Sequence, residues 1–328
     1  MTSNQIPLRT GFNATTTAAA VLGAHDLSGM TAVITGGYSG LGLEAARVLA
    51  GAGASVVVPA RDVARAAAAV RGIKRIELAE LDLMDAASID AFAEGFLASG
   101  RPLHMLLNSA GIMAAPLRRD SRGYESQFST NHLGHFQLTA RLWPALLRAN
   151  GARVVSVSSL GHRLSAVDFD DPNFERRPYD KWIAYGQSKT ANALFAVGVD
   201  RLGKAENIRA FSLHPGSIFT PLSRHLDIED YRRVGAADAE GNLLSTEQAG
   251  FKTVEQGAAT LVWCAVSHQL DGMGGVYCED CDIAPLAMSE SDKGGVRSWA
   301  VDPELALHLW TVSEQLTGTH FPAGQYAC

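Results

Sequence analysis

Thr31-Ala32-Val33-Ile34-Thr35-Gly36-Gly37-Tyr38-Ser39-Gly40-Leu41-Gly42 is the stretch that decides the fold. Its first five residues are apolar and β-branched, as a strand covered on both faces requires. Glycines at 36, 40 and 42 follow at once, and residues 43–52 then carry a helical pattern with one apolar face. Strand, glycine-rich turn and helix make an anion cradle. Gly36 permits the tight turn, Gly40 lets the backbone approach a pyrophosphate, and Gly42 lets the helix pack close to the sheet. Three glycines after a strand also fit an ordinary strand-to-helix turn, so the surrounding chain has to decide.

Outward from this turn the pattern repeats. Strands are expected at 54–58, 75–79, 103–107, 153–157, 208–213 and 275–278. Helices are expected at 64–70, 87–98, 123–148 (interrupted near Pro144), 184–203, 254–266 and 303–316, the last opened by Asp302 and Pro303. Such alternation implies βαβ crossovers and a doubly wound α/β fold, a parallel sheet of Rossmann type with helices on both faces. Residues 1–29 read as an N-terminal extension with weak helical character near 16–22, and 30–328 as a single domain. Residues 217–250 lose the periodicity and read as a lid.

Composition narrows the function. Among 328 residues, 28 are Lys or Arg and 34 are Asp or Glu, a formal net charge of -6. That balance offers no basic footprint for nucleic acid. The ten histidines show no metal-ligand spacing, and no metal is expected. Cys264, Cys278, Cys281 and Cys328 include one C-x-x-C without a second ligand pair, so reduced thiols and a reducing compartment are expected. No signal pattern and no apolar run of about 20 residues is found, so no membrane partner and a soluble, cytoplasmic protein are expected.

The chemistry concentrates late in the chain. Tyr185 and Lys189 are four apart in a helical segment and share a face. A phenol with an ordinary pKa of about 10 is a poor base at neutral pH, and a neighbouring ammonium would lower it. Ser158 and Ser159 end the 153–157 strand, where ligand chemistry collects in open parallel sheets. A hydroxyl there can donate to an oxygen gaining negative charge, or simply cap the turn. After the second strand come Ala60 and Arg61, where many dinucleotide folds place a ribose-binding acid. Arg61 could grip a 2′-phosphate, which favours NADP(H), with NAD(H) also possible. Alternatively it is a solvated residue beside Asp62 as N-cap.

The ordered motifs resemble the short-chain dehydrogenase/reductase family over most of the chain, about 27–316. Thr35-Gly36-Gly37-Tyr38-Ser39-Gly40-Leu41-Gly42 matches its glycine motif, and Asp82 with Leu83 its adenine-side acid. Asn108-Ser109-Ala110-Gly111 matches its N-N-A-G with one departure, Ser109. Asn131 matches its relay asparagine, Ser159 its serine, and Tyr185 with Lys189 its Y-x-x-x-K. Pro215-Gly216 matches its nicotinamide-side turn, with Ile218 and Thr220 following. The segment around 131–136 and the long 159–185 connection look like the branch of retinol dehydrogenases, WW-domain oxidoreductases and protochlorophyllide reductases. Ser39 is not basic, unlike its counterpart in many NADP-preferring relatives, which leaves Arg61 to carry that preference.

The resemblance implies hydride exchange with a small-molecule carbonyl or alcohol. In it Tyr185 is the general acid/base, Ser159 steadies the oxygen, Lys189 holds the nicotinamide ribose, and Asn131 orders a proton relay. Gly36, Ser39, Gly40, Leu41, Gly42, Arg61, Asp82, Leu83, Asn108, Ala110, Gly111, Tyr185, Lys189, Pro215, Gly216, Ile218 and Thr220 are the implied cofactor contacts. Phe219, Leu222, Leu226, Ile228, Tyr231 and Leu243 in the lid suggest a hydrophobic substrate, or merely packing. Two rivals stand beside this reading. One is C=C reduction on the same site, which needs another proton donor, and no cysteine lies after Gly111 or within 160–180. The other is a non-catalytic NADP(H) sensor, which would have no need to keep Ser159, Tyr185 and Lys189. The helices at 123–148 and 184–203 resemble the family's oligomer faces, which leaves a homo-oligomer open.

Overall fold

A computed structural model describes residues 5–289 and 291–321. Its centre is one eight-stranded sheet, β1(Thr31–Thr35), β2(Ser55–Ala60), β3(Ile76–Glu80), β4(Met105–Asn108), β5(Arg153–Val157), β6(Arg209–His214), β7(Val276–Glu279) and β8(Asp282–Ile283). The spatial order is β3-β2-β1-β4-β5-β6-β7-β8. The first seven strands run parallel and β8 pairs antiparallel with β7. The order reverses between β1 and β4, which opens the ligand-binding crevice of such sheets at those strands' C-terminal ends.

The helices are α1(Ala18–Leu22), α2(Gly40–Gly51), α3(Val63–Ala69), α4(Ala86–Ala98), α5(Ser126–Phe128), α6(Gly134–Arg148), α7(Lys181–Gly203), α8(Ile228–Arg233), α9(Val254–Gly257), α10(Ala259–Val266) and α11(Pro303–Thr317). Leu49, Trp263 and Phe211 belong to the apolar layer on one sheet face, and Phe96, Phe136, Phe195 and Trp310 to that on the other. Two differences from the sequence expectation stand out. The helix expected over 123–148 is divided, with α5 leading into a π-helical turn, Ser129–Leu133, and then α6. Pro144 does not interrupt α6, because it lies on the exposed face while Leu142, Trp143, Ala145 and Leu146 are buried around it.

The lead-in is woven into this domain. Ala18, Val21, Leu22 and Leu27 lie in the main core. The Gln5 side chain donates to the carbonyls of Tyr277 and Ala284 at 3.0 and 2.9 Å and accepts from the Tyr277 amide. The Asp282 carboxylate accepts from the amides of Leu8 and Arg9. The arm therefore covers the sheet margin where β8 ends the ladder. Beneath it Cys264, Cys278 and Cys281 are buried free thiols. Burial raises the Cys278 thiol well above its ordinary range and Cys281 to about 12. Cys328 lies outside the described residues. Among the described residues no group of three or more His, Cys, Asp or Glu could hold a metal, and no helix is long and apolar enough to cross a membrane.

Candidate active site

The turn after β1 is built by steric demand. Gly36 and Gly40 have positive φ, 69° and 51°, a region side chains disfavour. A Cβ at Gly42 would sit 2.5 Å from the Gly36 carbonyl oxygen, so α2 packs against its own turn only because that position is bare. Ser39 is the N-cap of α2 and its side chain makes no capping bond, while Leu41 packs towards Gly257. The N-terminus of a twelve-residue helix thus opens beside the crevice with its first amides available to an anion.

Thr35 fastens β1 to β4. Its hydroxyl oxygen accepts from the amides of Ser109 and Ala110 at 2.9 and 3.0 Å and bonds His135 Nε2 at 2.8 Å. His135 Nδ1 bonds the Asn131 carbonyl, and burial lowers this imidazole to about 4, so it is neutral. Nδ1–H therefore donates to the carbonyl, and Nε2 accepts from Thr35. Asn108 is buried and donates to Thr139, while Leu83 is buried with its carbonyl against Gly134. The Asp82 carboxylate accepts from the Met84 amide. Gly216 (φ 102°) lies against the Lys252 stem, Ile218 against Gly257, and the Thr220 methyl 3.3 Å from where a Gly40 Cβ would be. Pro215 closes the end of β6. Arg61 is exposed, and Asp62 caps α3.

The second half of the site hangs on α7. Asp180 is its N-cap, accepting from the amides of Trp182 and Ile183. The end of β5 is tied to this helix from both sides. Val157 O accepts from Lys189 Nζ at 2.9 Å and from Asn192 Nδ2 at 3.0 Å, while Ser158 Oγ donates to Lys189 O at 2.7 Å. Asn131 sits in the π-helical turn and pairs with one backbone unit in both directions. Its Oδ1 accepts from Ile112 N at 2.9 Å and its Nδ2 donates to Ile112 O at 3.0 Å. A Cβ at Gly111 would lie 3.1 Å from Asn131 Oδ1 and 3.6 Å from Lys189 Nζ, which places those two polar groups at the turn after β4.

Tyr185 is buried, and burial pushes its phenol up to about 12, against a hydrogen bond with the Ser159 hydroxyl that lowers it. Burial lowers the Lys189 amine to about 7. The expectation that the ammonium would bring the phenol's pKa down is corrected here. Nζ lies 5.7 Å from the phenol ring centroid and gives one of its three hydrogen bonds to the Val157 carbonyl, and desolvation is the leading cause for both groups. The phenol is in its acid form at neutral pH.

Two neighbours escaped the sequence reading, His135 and Gly161, whose absent Cβ would lie 2.6 Å from Tyr185 Cε1, while Thr35 enters it only as the opening of the glycine motif. Met113, Ala114, Trp182 and Leu226 join Tyr185 in one apolar cluster. Of the six lid residues read as facing substrate or merely packing, Leu226 reaches that cluster, Phe219 meets the Phe251 ring at a tilt, and Ile228 and Leu243 are exposed.

A family model described as short chain dehydrogenase matches residues 30–230. A Streptomyces lividans protein named "Probable oxidoreductase" is 46% identical over 87% of this chain and 96% of its own length. Human retinol dehydrogenase 12 is 36% identical over 87% of this chain and 88% of its own. A crystal structure of an uncharacterised Mycobacterium paratuberculosis protein, 33% identical, covers 92% of this chain and 98% of its own with a TM-score of 0.71. The chain belongs to the short-chain dehydrogenase/reductase family, on its retinol dehydrogenase branch, and is an oxidoreductase.

Proposed function

We propose that the protein is an NADP(H)-preferring oxidoreductase acting on apolar ketones, aldehydes or secondary alcohols, with Tyr185 as the proton donor and acceptor. The observation that carries this reading is the buried Tyr185 ring brought beside Ser159 at the strand end, where a Cβ on Gly161 would lie 2.6 Å from Tyr185 Cε1 and 3.4 Å from Ser159 Oγ. The cradle fits a dinucleotide because Gly36 and Gly40 turn the chain at positive φ and Gly42 has no room for a Cβ, which leaves the α2 N-terminus free of side chains towards an anion. Gly36, Ser39, Gly40, Leu41 and Gly42 would hold its pyrophosphate. Asp82, Leu83, Asn108, Ala110 and Gly111 would line the adenosine side, and Pro215, Gly216, Ile218 and Thr220 the nicotinamide side. When bound, the nicotinamide supplies or takes up the hydride.

The chain's own groups handle the oxygen. Tyr185 donates its hydroxyl proton to a carbonyl oxygen in reduction and takes one back in oxidation. Ser159 donates a hydrogen bond to the same oxygen as charge develops there. Lys189, anchored on Val157 O and beside Gly111 and Asn131, holds the cofactor ribose and opens the route for proton replacement through Asn131.

Tyr185→Phe is expected to lower kcat to background for an aromatic ketone while the Kd for NADPH stays within about twofold. Turnover near that of the wild type in this variant would remove the mechanism.

Cofactor preference rests on the end of β2. Ala60 is buried and brings no carboxylate, and Arg61 is exposed beside the cradle. The lid residue Arg224 is depressed first by burial and then by the positive charge of Arg61, so two guanidinium groups face one region. Such a pair suits a 2′-phosphate better than a bare ribose. Arg61→Ala should raise KM for NADPH at least tenfold and leave KM for NADH nearly unchanged. An unaltered NADPH/NADH ratio would overturn the preference.

A further inference from the structure

We propose that Trp182 sets substrate specificity as the aromatic wall of the substrate site, and that the lid carboxylate Asp230 positions it. This rests on the reading of Tyr185 as the group that meets the substrate oxygen. Trp182 and Tyr185 are three apart on α7, so their side chains lie on neighbouring parts of one helix face. Their rings meet edge to face, with centroids 6.2 Å apart and planes at 85°. Met113 and Ala114 from the turn after β4 and Leu226 from the lid complete the apolar cluster around the phenol. A molecule that brings an oxygen to the Tyr185 hydroxyl must set its adjoining substituent among these groups. They offer it apolar surface and one large ring.

The Trp182 indole is fixed by the lid. Its Nε1–H donates to Asp230 Oδ1 at 2.8 Å. Asp230 Oδ2 accepts from Lys181 Nζ and from the Asp227 amide, at 3.0 Å for the latter. Asp227 and Asp230 form the reciprocal capping box that starts α8. The Arg233 guanidinium, from the same short helix, lies over the Trp182 ring 5.4 Å from its centroid. A six-residue helix has little stability of its own, so α8 exists through these contacts. Asp230 is only 5% exposed, and its carboxylate is engaged by Trp182, Lys181 and the backbone together. Its pKa lies below the usual carboxylate range because the Lys181, Trp182 and Asp227 hydrogen bonds outweigh its burial. Seating the lid and orienting the ring beside the phenol are therefore one event. The substrate class that follows is carbonyl compounds bearing a ring next to the reacting carbon, in preference to short aliphatic ones.

The test is a mutant cycle on the full chain, read with acetophenone and propanal as probes and NADPH as reductant. Trp182→Phe keeps a ring but loses the indole N–H, Asp230→Leu removes the acceptor, and Asp230→Asn retains one acceptor oxygen. Asp230→Leu should raise the acetophenone KM at least tenfold, with kcat changed less than threefold and the propanal KM nearly unmoved. Asp230→Asn should recover most of that loss. Trp182→Phe combined with Asp230→Leu should be no worse than the more damaged single variant, because both remove one bond. Should Asp230→Leu fail to fold, Asp230→Ala, which also removes the acceptor, takes its place in the same cycle. Additive KM effects, or equal losses for the two probes, would overturn the assignment. Wild-type protein that reduces neither probe, or a Tyr185→Phe variant that still reduces them, would instead overturn the catalytic reading beneath it.

Discussion

At the scale of single residues, the site is governed by where side chains are absent. Gly161 follows the strand-end serine, and a methyl there would press 2.6 Å from the phenol ring. Gly186 admits the Gly161 carbonyl, since a Cβ there would lie 2.8 Å from that oxygen. The two glycines let the irregular segment after β5 lie flat on α7, which fixes the direction of the Tyr185 hydroxyl. Gly161→Ala is expected to lower kcat by about 10², since a displacement near 1 Å carries losses of that order. NADPH binding should stay normal, and kcat within threefold of the wild type would refute the argument. The polar members of the candidate site could be picked out in the sequence because the proposed chemistry asks for particular residue types at particular spacings, as in Tyr185 and Lys189, which the fold places on one helix. Gly161 was legible only as the start of an irregular stretch. Its role comes from a partner 24 positions away, and no local pattern encodes that meeting.

At the scale of elements, periodicity placed nearly every strand and helix within a few residues of its observed bounds. It did so because a parallel strand covered on both faces writes a short unbroken apolar run and a one-faced helix a repeat of about 3.6 residues. Three features left no such repeat. The π-helical turn at Ser129–Leu133 departs from helical spacing so that Asn131 can pair with the Ile112 backbone. The two-residue β8 is too short to alternate. Helix α8 is held by Asp230 bonding a tryptophan 48 positions earlier. Helix α7 begins three residues before its expected start, at the Asp180 cap. Asp180→Ala exposes two amides at that end and should destabilise the protein by about 1 kcal/mol. The check is the urea midpoint at constant m-value, and no shift would show that the cap contributes nothing.

At the scale of the whole molecule, four histidines are folded in as neutral groups. Burial lowers His132 to about 3, His135 to about 4, His162 to about 4 and His214 to about 3. In the unfolded chain each would titrate near 6.5. Below that pH the unfolded state binds protons that the folded state refuses, so stability is full above about 6.5 and falls as the medium acidifies. Each histidine adds about 1.4 kcal/mol per pH unit in that window, and four give a loss of about 5 kcal/mol between pH 7.5 and 5.5. Glu125 and Glu279, raised by burial, act in the opposite sense. Urea unfolding at the two pH values measures the difference, and a flat response would contradict the neutral assignment. The arm over β8 belongs to this scale too, since Gln5 and Asp282 tie the first described residues to the β7–β8 corner, more than 260 positions along the chain.

The three thiols beneath that arm give the molecule an internal clock. A reagent such as iodoacetamide attacks only thiolate, and Cys278 and Cys281 are both withheld from solvent and held protonated. Alkylation at these two positions must therefore wait until the β7–β8 corner comes apart. Its rate times the opening of that corner in a working enzyme, with no engineered probe or added chromophore.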